Sequence, residues 1–136
     1  MKKRLSALFL AFMVLSMVSR ITAYAVEPRY AYTTSATSTL TISSGTAYCK
    51  SNAKGNSSVT KIVGTQYLEK KIGSGDDDWS TVSGGTWINS TNNNSLTMSN
   101  SQSSLGSGTY RLRTVFTVYC GTSYETVEKL SKEVTI

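Results

Sequence analysis

The chain has 136 residues, 39% hydrophobic and only 16% charged, with 14 Lys+Arg, 8 Asp+Glu, one Pro, two Cys and no His. That length bounds a single small domain. The missing histidine excludes Ser-His-Asp and Cys-His nucleophile systems, imidazole metal ligands and the one side chain that ordinarily titrates near neutral pH.

Met1-Lys2-Lys3-Arg4 is a positive start, and Leu5 to Val18 is an apolar run too short to span a bilayer comfortably. Arg20 ends that run, and Ala23-Tyr24-Ala25 follows as a small-x-small cleavage site, so residues 1–25 read as a signal peptide removed after Ala25. Cleavage takes Lys2, Lys3, Arg4 and Arg20 with it and lowers the surplus from +6 to +2. Bulk charge then gives no argument for nucleic acid, since the remaining cations form no stripe. No second apolar run would hold the cleaved chain in a membrane, so the expected location is secreted and extracellular.

Residues 26–136 contain 19 Ser, 18 Thr and 7 Asn, a composition that disfavours helix and suits strands joined by turns. After a flexible arm at 26–37, alternation predicts strands at 38–43 and 46–53 around the turn Ser43-Ser44-Gly45. Residues 59–72 follow, with Ile62 and Leu68 on one face and Val63 and Tyr67 on the other. Beyond the turn at Gly73 to Asp78, Trp79 to Val82 pairs back, and Gly84-Gly85 interrupts the run before Thr86-Trp87-Ile88. Leu96 and Met98 mark a short strand between polar loops. In 109–120, Tyr110, Leu112, Phe116, Val118 and Cys120 share the expected core face while Arg111, Arg113, Thr117 and Tyr119 share the other. The last strand is 123–136.

About seven short strands at turn-separated spacing describe an all-β chain, an antiparallel β-sandwich of immunoglobulin-like type, over 38–136. Two cysteines in an exported chain read most simply as one disulfide, Cys49 to Cys120.

Ala47-Tyr48-Cys49, Tyr67-Leu68-Glu69-Lys70-Lys71, Trp79, Trp87, Gly108-Thr109-Tyr110-Arg111 and Val118-Tyr119-Cys120-Gly121 together make nearly all of the cleaved chain resemble a group of small secreted proteins of Gram-positive bacteria. The resemblance implies export and the sandwich, and no catalytic or binding residue.

Asp76-Asp77-Asp78 is the one acidic cluster; its adjacent carboxylates point apart and lack the alternating spacing of a Ca²⁺ loop, so a solvated hairpin tip is expected, with no metal and no cofactor. Glu69, Glu125, Glu128 and Glu133 sit on strands that turn them mostly outward, without the facing pair that glycoside hydrolysis needs. Tyr110 reads as a core or tyrosine-corner residue. Trp79 and Trp87 fit core packing or a sugar-stacking surface, and Tyr119 and Tyr124 fit an exposed patch. These four are the candidate ligand-binding residues. The expected function is a non-enzymatic extracellular binding module for a protein or glycan partner; carbohydrate binding to cell wall or host glycan is the alternative, and a secreted toxin or bacteriocin-like protein the third.

Overall fold

A computed structural model describes residues 29–136. The expected signal peptide, residues 1–25, and residues 26–28 of the expected arm lie outside the described residues.

Eight strands form two antiparallel sheets: β1 (Thr33–Ser43), β2 (Thr46–Gly55), β3 (Lys61–Lys71), β4 (Trp79–Thr91), β5 (Ser95–Gln102), β6 (Thr109–Cys120), β7 (Ser123–Leu130) and β8 (Val134–Thr135). The smaller sheet has the order β1-β2-β5, and the larger has β4-β3-β6-β7 with β8 also on β6. The two pack face to face as a β-sandwich. β5 lies over β4 and β3, β2 over β3 and β6, and β1 over β6 and β7.

Local chemistry explains the hairpins. Ser44 (φ 51°) and Gly45 (φ 74°) both take positive φ between the paired Ser43 and Thr46, the two-residue turn whose twist matches that of the flanking strands. Gly121 (φ 62°) opens the equally tight turn between Cys120 and Ser123. The long β3–β6 ladder, from Lys61↔Tyr119 to Lys70↔Tyr110, runs through the middle of the larger sheet.

Three expectations on boundaries change. Residues 33–37 are the first part of β1, paired with Gly55 to Asn52, because small hydroxyl side chains are good strand formers when a partner edge is present. Trp79 to Thr91 is one strand, since a register shift opposite Tyr67/Glu69 absorbs the irregularity at Gly84 (φ 75°) without ending the ladder. The final segment divides into β7 and β8, where Ser131 leaves the ladder: its backbone N–H donates to Leu112 O and its hydroxyl accepts from Leu112 N.

The interior has two apolar clusters. One holds Ala53, Val59, Ile62, Leu96, Met98, Phe116, Val118 and Val127; the other holds Leu40, Ala47, Cys49, Leu68, Tyr110 and Leu112. Gly64 lies beneath the first because a Cβ there would come within 2.6 Å of Met98 Sδ. Tyr110 is core, as expected, and its hydroxyl donates to the Gly106 carbonyl at 2.8 Å.

A polar seam lies between the clusters. Asn100 Nδ2 donates to Gln66 Oε1 (2.7 Å), and Gln66 Nε2 donates to Ser51 Oγ (2.8 Å). Ser51 Oγ lies 2.6 Å from Thr114 Oγ1, which lies 3.0 Å from Ser38 Oγ, which donates to Leu112 O. Each hydroxyl has one proton. With that of Ser38 spent on a carbonyl, Thr114 donates to Ser38 and Ser51 donates to Thr114. The seam is thus a directed chain across five strands. Among the described residues no buried side-chain polar atom lacks a partner.

The expected disulfide is not formed; Cys49 and Cys120 are both free thiols. Cys49 packs with Tyr110 and Leu112 near the start of β6, whereas Cys120 ends that strand eight residues beyond Leu112. At 3.3 Å per residue this is about 26 Å, while a disulfide requires Cα atoms within roughly 7 Å. Burial pushes the Cys49 thiol up to about 11.

Candidate binding face

The outer face of the larger sheet is a grid fixed by register. Its rows across β4, β3, β6 and β7 run Ser90–Val63–Thr117–Thr126, Ile88–Thr65–Val115–Glu128 and Thr86–Tyr67–Arg113–Leu130. Lys61, Tyr119 and Tyr124 close one end, and Thr81, Glu69, Arg111, Lys71 and Trp79 close the other. Alternation turns these side chains away from the core.

Ile88 is 71% exposed, Tyr124 65% and Leu130 49%. Val63 and Val115, half-buried, fill the space between them. The outer face of the smaller sheet is mostly polar, with Thr37, Thr39, Thr41, Lys50, Thr97 and Ser99, and it also carries the exposed Tyr48.

A stacked ladder stiffens the Trp79 end. The Arg111 guanidinium lies 4.2 Å from the Trp79 ring centroid, and that of Arg113 lies 4.2 Å from the Tyr67 ring. Between them Glu69 receives Arg111 Nε at 2.9 Å and Arg113 Nε at 3.3 Å. Five side chains therefore alternate ring, cation, anion, cation, ring, each planar group fixing the next. Glu69, expected to be outward, does point off the sheet but is only 6% exposed, because the two arginines cover it. At the far end Tyr119 and Tyr124 lie 5.7 Å apart with planes at 45°, and Lys61 Nζ sits 5.7 Å from the Tyr119 ring.

The four sequence candidates are not brought together. Trp87 turns inward, half-buried against both core clusters. Trp79 is on the outer face, but its ring is occupied by Arg111 and its indole N–H is held by Asp76 O at 3.0 Å. Tyr119 and Tyr124 do form a pair, at the opposite end of the sheet. The ten-residue offset from Lys61 to Lys71 separates the two groups by about 33 Å. Sequence reasoning set Arg111 and Arg113 on the face of Tyr119, and Tyr67 opposite Ile62 and Leu68, but named none of Arg111, Arg113, Tyr67 and Ile88 as a candidate binding residue. The available signal was Arg111-x-Arg113, whose alternation aims both cations at the face that carries Val63, Tyr67 and Glu69.

The acidic tip is held by its own chain: Asp78 Oδ2 accepts from Gly75 N at 2.8 Å, and Asp78 O accepts from Ile72 N. No group of three or more Cys, Asp and Glu among the described residues is placed to hold a metal ion. Glu125 has a structural part. Its carboxylate accepts from the backbone N–H of Ala31, Tyr32 and Thr33 and from the Thr33 hydroxyl, at 2.7–3.0 Å, and so ties the start of β1 to β7.

Comparison with protein-family models, with curated proteins and with solved structures finds no match for this chain.

Proposed function

We propose that the protein is a secreted, non-enzymatic binding module of immunoglobulin-like type, akin to the small secreted proteins of Gram-positive bacteria that its sequence resembles, and that the outer face of its larger sheet contacts an extracellular protein. The immunoglobulin-like assignment is supported by the Tyr110 hydroxyl on a carbonyl four residues upstream, the geometry of a tyrosine corner. The reading is carried by one observation: Ile88, Tyr124 and Leu130 stay exposed on the sheet face that the Trp79–Arg111–Glu69–Arg113–Tyr67 ladder makes rigid. Apolar and aromatic residues beside fixed arginines are the side chains that dominate binding energy at protein interfaces. Prior rigidity lowers the ordering cost of binding.

The glycan alternative rests on the Tyr119–Tyr124 pair, tilted rings with Lys61 over Tyr119, which offers aromatic surface for a sugar to stack on. Co-sedimentation of residues 26–136 with bacterial cell walls, before and after protease treatment of the walls, separates the two. A protein partner predicts saturable binding abolished by protease and weakened at least tenfold by Ile88→Glu. Binding that survives protease and falls only with Tyr124→Ser assigns the face to glycan. Equal binding by both variants removes the face from consideration.

A further inference from the structure

The outer face of the smaller sheet is built on one repeat. Its central strand, β2, turns Tyr48, Lys50, Asn52 and Lys54 outward, in alternation with the buried Ala47, Cys49, Ser51 and Ala53. The register then sets a hydroxyl on each side of every outward residue. Thr41 and Ser101 flank Tyr48, and Thr39 and Ser99 flank Lys50. Thr37 and Thr97 flank Asn52, and Ser35 and Ser95 flank Lys54. In the Asn52 row the groups hold one another: the Thr97 hydroxyl donates to Asn52 Oδ1 at 2.8 Å, and Asn52 Nδ2 donates to Thr37 Oγ1 at 3.4 Å. In the other rows the flanking hydroxyls and both lysines are exposed, and Tyr48 is 53% exposed.

Charge is segregated between the two sheets. Among the described residues every Asp and Glu lies on the larger sheet or in its turns: Glu69 on β3, Asp76 to Asp78 in the turn after it, Glu125 and Glu128 on β7, and Glu133 just beyond. β1, β2 and β5 carry only the cations Lys50 and Lys54, and neither has a carboxylate within ion-pair distance among the described residues. Both stand on the central strand, so they do not guard an edge against pairing.

The composition of this grid selects the class of partner. A protein interface concentrates aromatic residues, Met and Arg and is depleted in Lys and Ser, whereas this face has one aromatic residue, no outward Met and no Arg. A nucleic acid strand takes a stacking ring for successive bases along a cationic groove, which one tyrosine and two lysines do not make. Rows of hydroxyls can donate to and accept from sugar hydroxyls, and the exposed ring offers a surface for the CH groups of a sugar. Lys50 and Lys54 are four residues apart along β2, about 13 Å, a spacing that suits carboxylates set at intervals among neutral sugars better than a densely sulfated chain.

We propose that the outer face of the smaller sheet binds a polysaccharide that carries carboxylates at intervals, with Tyr48 against a sugar ring, the flanking hydroxyls on sugar hydroxyls, and Lys50 and Lys54 each meeting a carboxylate. The face lies on the opposite side of the sandwich from the outer face of the larger sheet and leaves that face free.

The test titrates residues 26–136 with hyaluronate oligosaccharides, in which a uronate alternates with a neutral amino sugar, and with neutral dextran oligosaccharides, polyglutamate and a single-stranded oligonucleotide for comparison. NMR shift changes read which face responds. The expected result is saturable hyaluronate binding with changes at Tyr48, Lys50 and Lys54, weaker at high salt and absent with dextran. Lys50→Gln together with Lys54→Gln weakens it about three- to tenfold, the range of two exposed ion pairs. Tyr48→Ser weakens it about threefold, and Ile88→Glu and Tyr124→Ser leave it unchanged. The three substituted side chains are exposed, so these variants keep the fold. No hyaluronate binding, or binding that the variants on β2 leave unchanged, overturns the proposal. Shift changes confined to Tyr119 and Tyr124 overturn it in favour of the tyrosine pair on the larger sheet. Polyglutamate or the oligonucleotide binding as tightly as hyaluronate overturns it too, by making the face a site for charge alone.

Discussion

Replacing Thr114 by valine keeps the side-chain shape and removes one oxygen from the middle of the polar seam. In the wild-type chain that oxygen accepts the Ser51 hydroxyl proton at 2.6 Å and donates to Ser38 at 3.0 Å. Ser51 and Thr114 are fully buried, so no water takes over as acceptor, and the stranded Ser51 donor costs about 1–3 kcal/mol. Ser38 is half-buried, still donates to Leu112 O and is less affected. Thr114→Val should therefore lower stability by about 2 kcal/mol, or roughly 10 °C in Tm for a domain of this size. Urea unfolding followed by tryptophan fluorescence should show a lower midpoint at unchanged slope. The triple variant Ser51→Ala, Gln66→Leu, Thr114→Val removes the linked groups together and leaves Ser38, which keeps its bond to Leu112 O, and Asn100, which is half-exposed and can turn to water. Its cost should fall clearly below the sum of the three single costs, because removing whole pairs strands no buried partner. A Thr114→Val protein as stable as wild type, or a triple variant that costs the full sum, would refute the directed-chain reading.

Two further outcomes follow from the thiols and from the β1 anchor. In native protein Cys120, half-buried at a turn, should react with a thiol reagent while Cys49 stays protected until unfolding, and mass spectrometry should find no Cys49–Cys120 bridge. The Cys49 thiol stays protonated up to about pH 11 when folded, against 9.0 when unfolded, so its contribution is complete below pH 9 and is lost as pH rises toward 11. The alkaline loss of stability should shrink by on the order of 2 kcal/mol in Cys49→Ala, measured as the difference between denaturation curves at pH 8 and 11. Glu125→Ala should speed amide exchange at Ala31, Tyr32 and Thr33 while leaving the β3–β6 amides as they are; unchanged exchange at those three positions would show that the carboxylate does not hold the segment.

The strand pattern was readable because side-chain alternation and turn residues act over a few positions. Tyr110, Leu112, Phe116 and Val118 are buried as their spacing predicts, and Val63 and Tyr67 lie on the face opposite the buried Ile62 and Leu68, as their alternation separates them. The core row of β3 also contains Gly64 and Gln66, which no hydrophobic pattern marks. Each is explained only by what sits across from it: Met98 over the glycine, and Ser51 and Asn100 around the amide. The disulfide expectation failed in a similar way. Parity placed both cysteines on inward faces, but it has no information on how far along the strand each one sits. The binding face was half legible, since Tyr119 and Tyr124 were identified from alternation, while the Arg–Glu–Arg ladder depends on the register between β3 and β6.

The Glu125 clasp joins residues separated by 92 positions, from Thr33 near the start of the domain to a strand near its end. As the chain emerges from a ribosome, β1 can pair at once with β2, but the strands it packs over, β6 and β7, come late, and β6 runs through the middle of the larger sheet. Closing so long a loop before any contact rewards it makes the early segments slow to commit. The sandwich therefore closes only when β6 and β7 are present, and the early β1–β2 hairpin waits for them with its inner face uncovered.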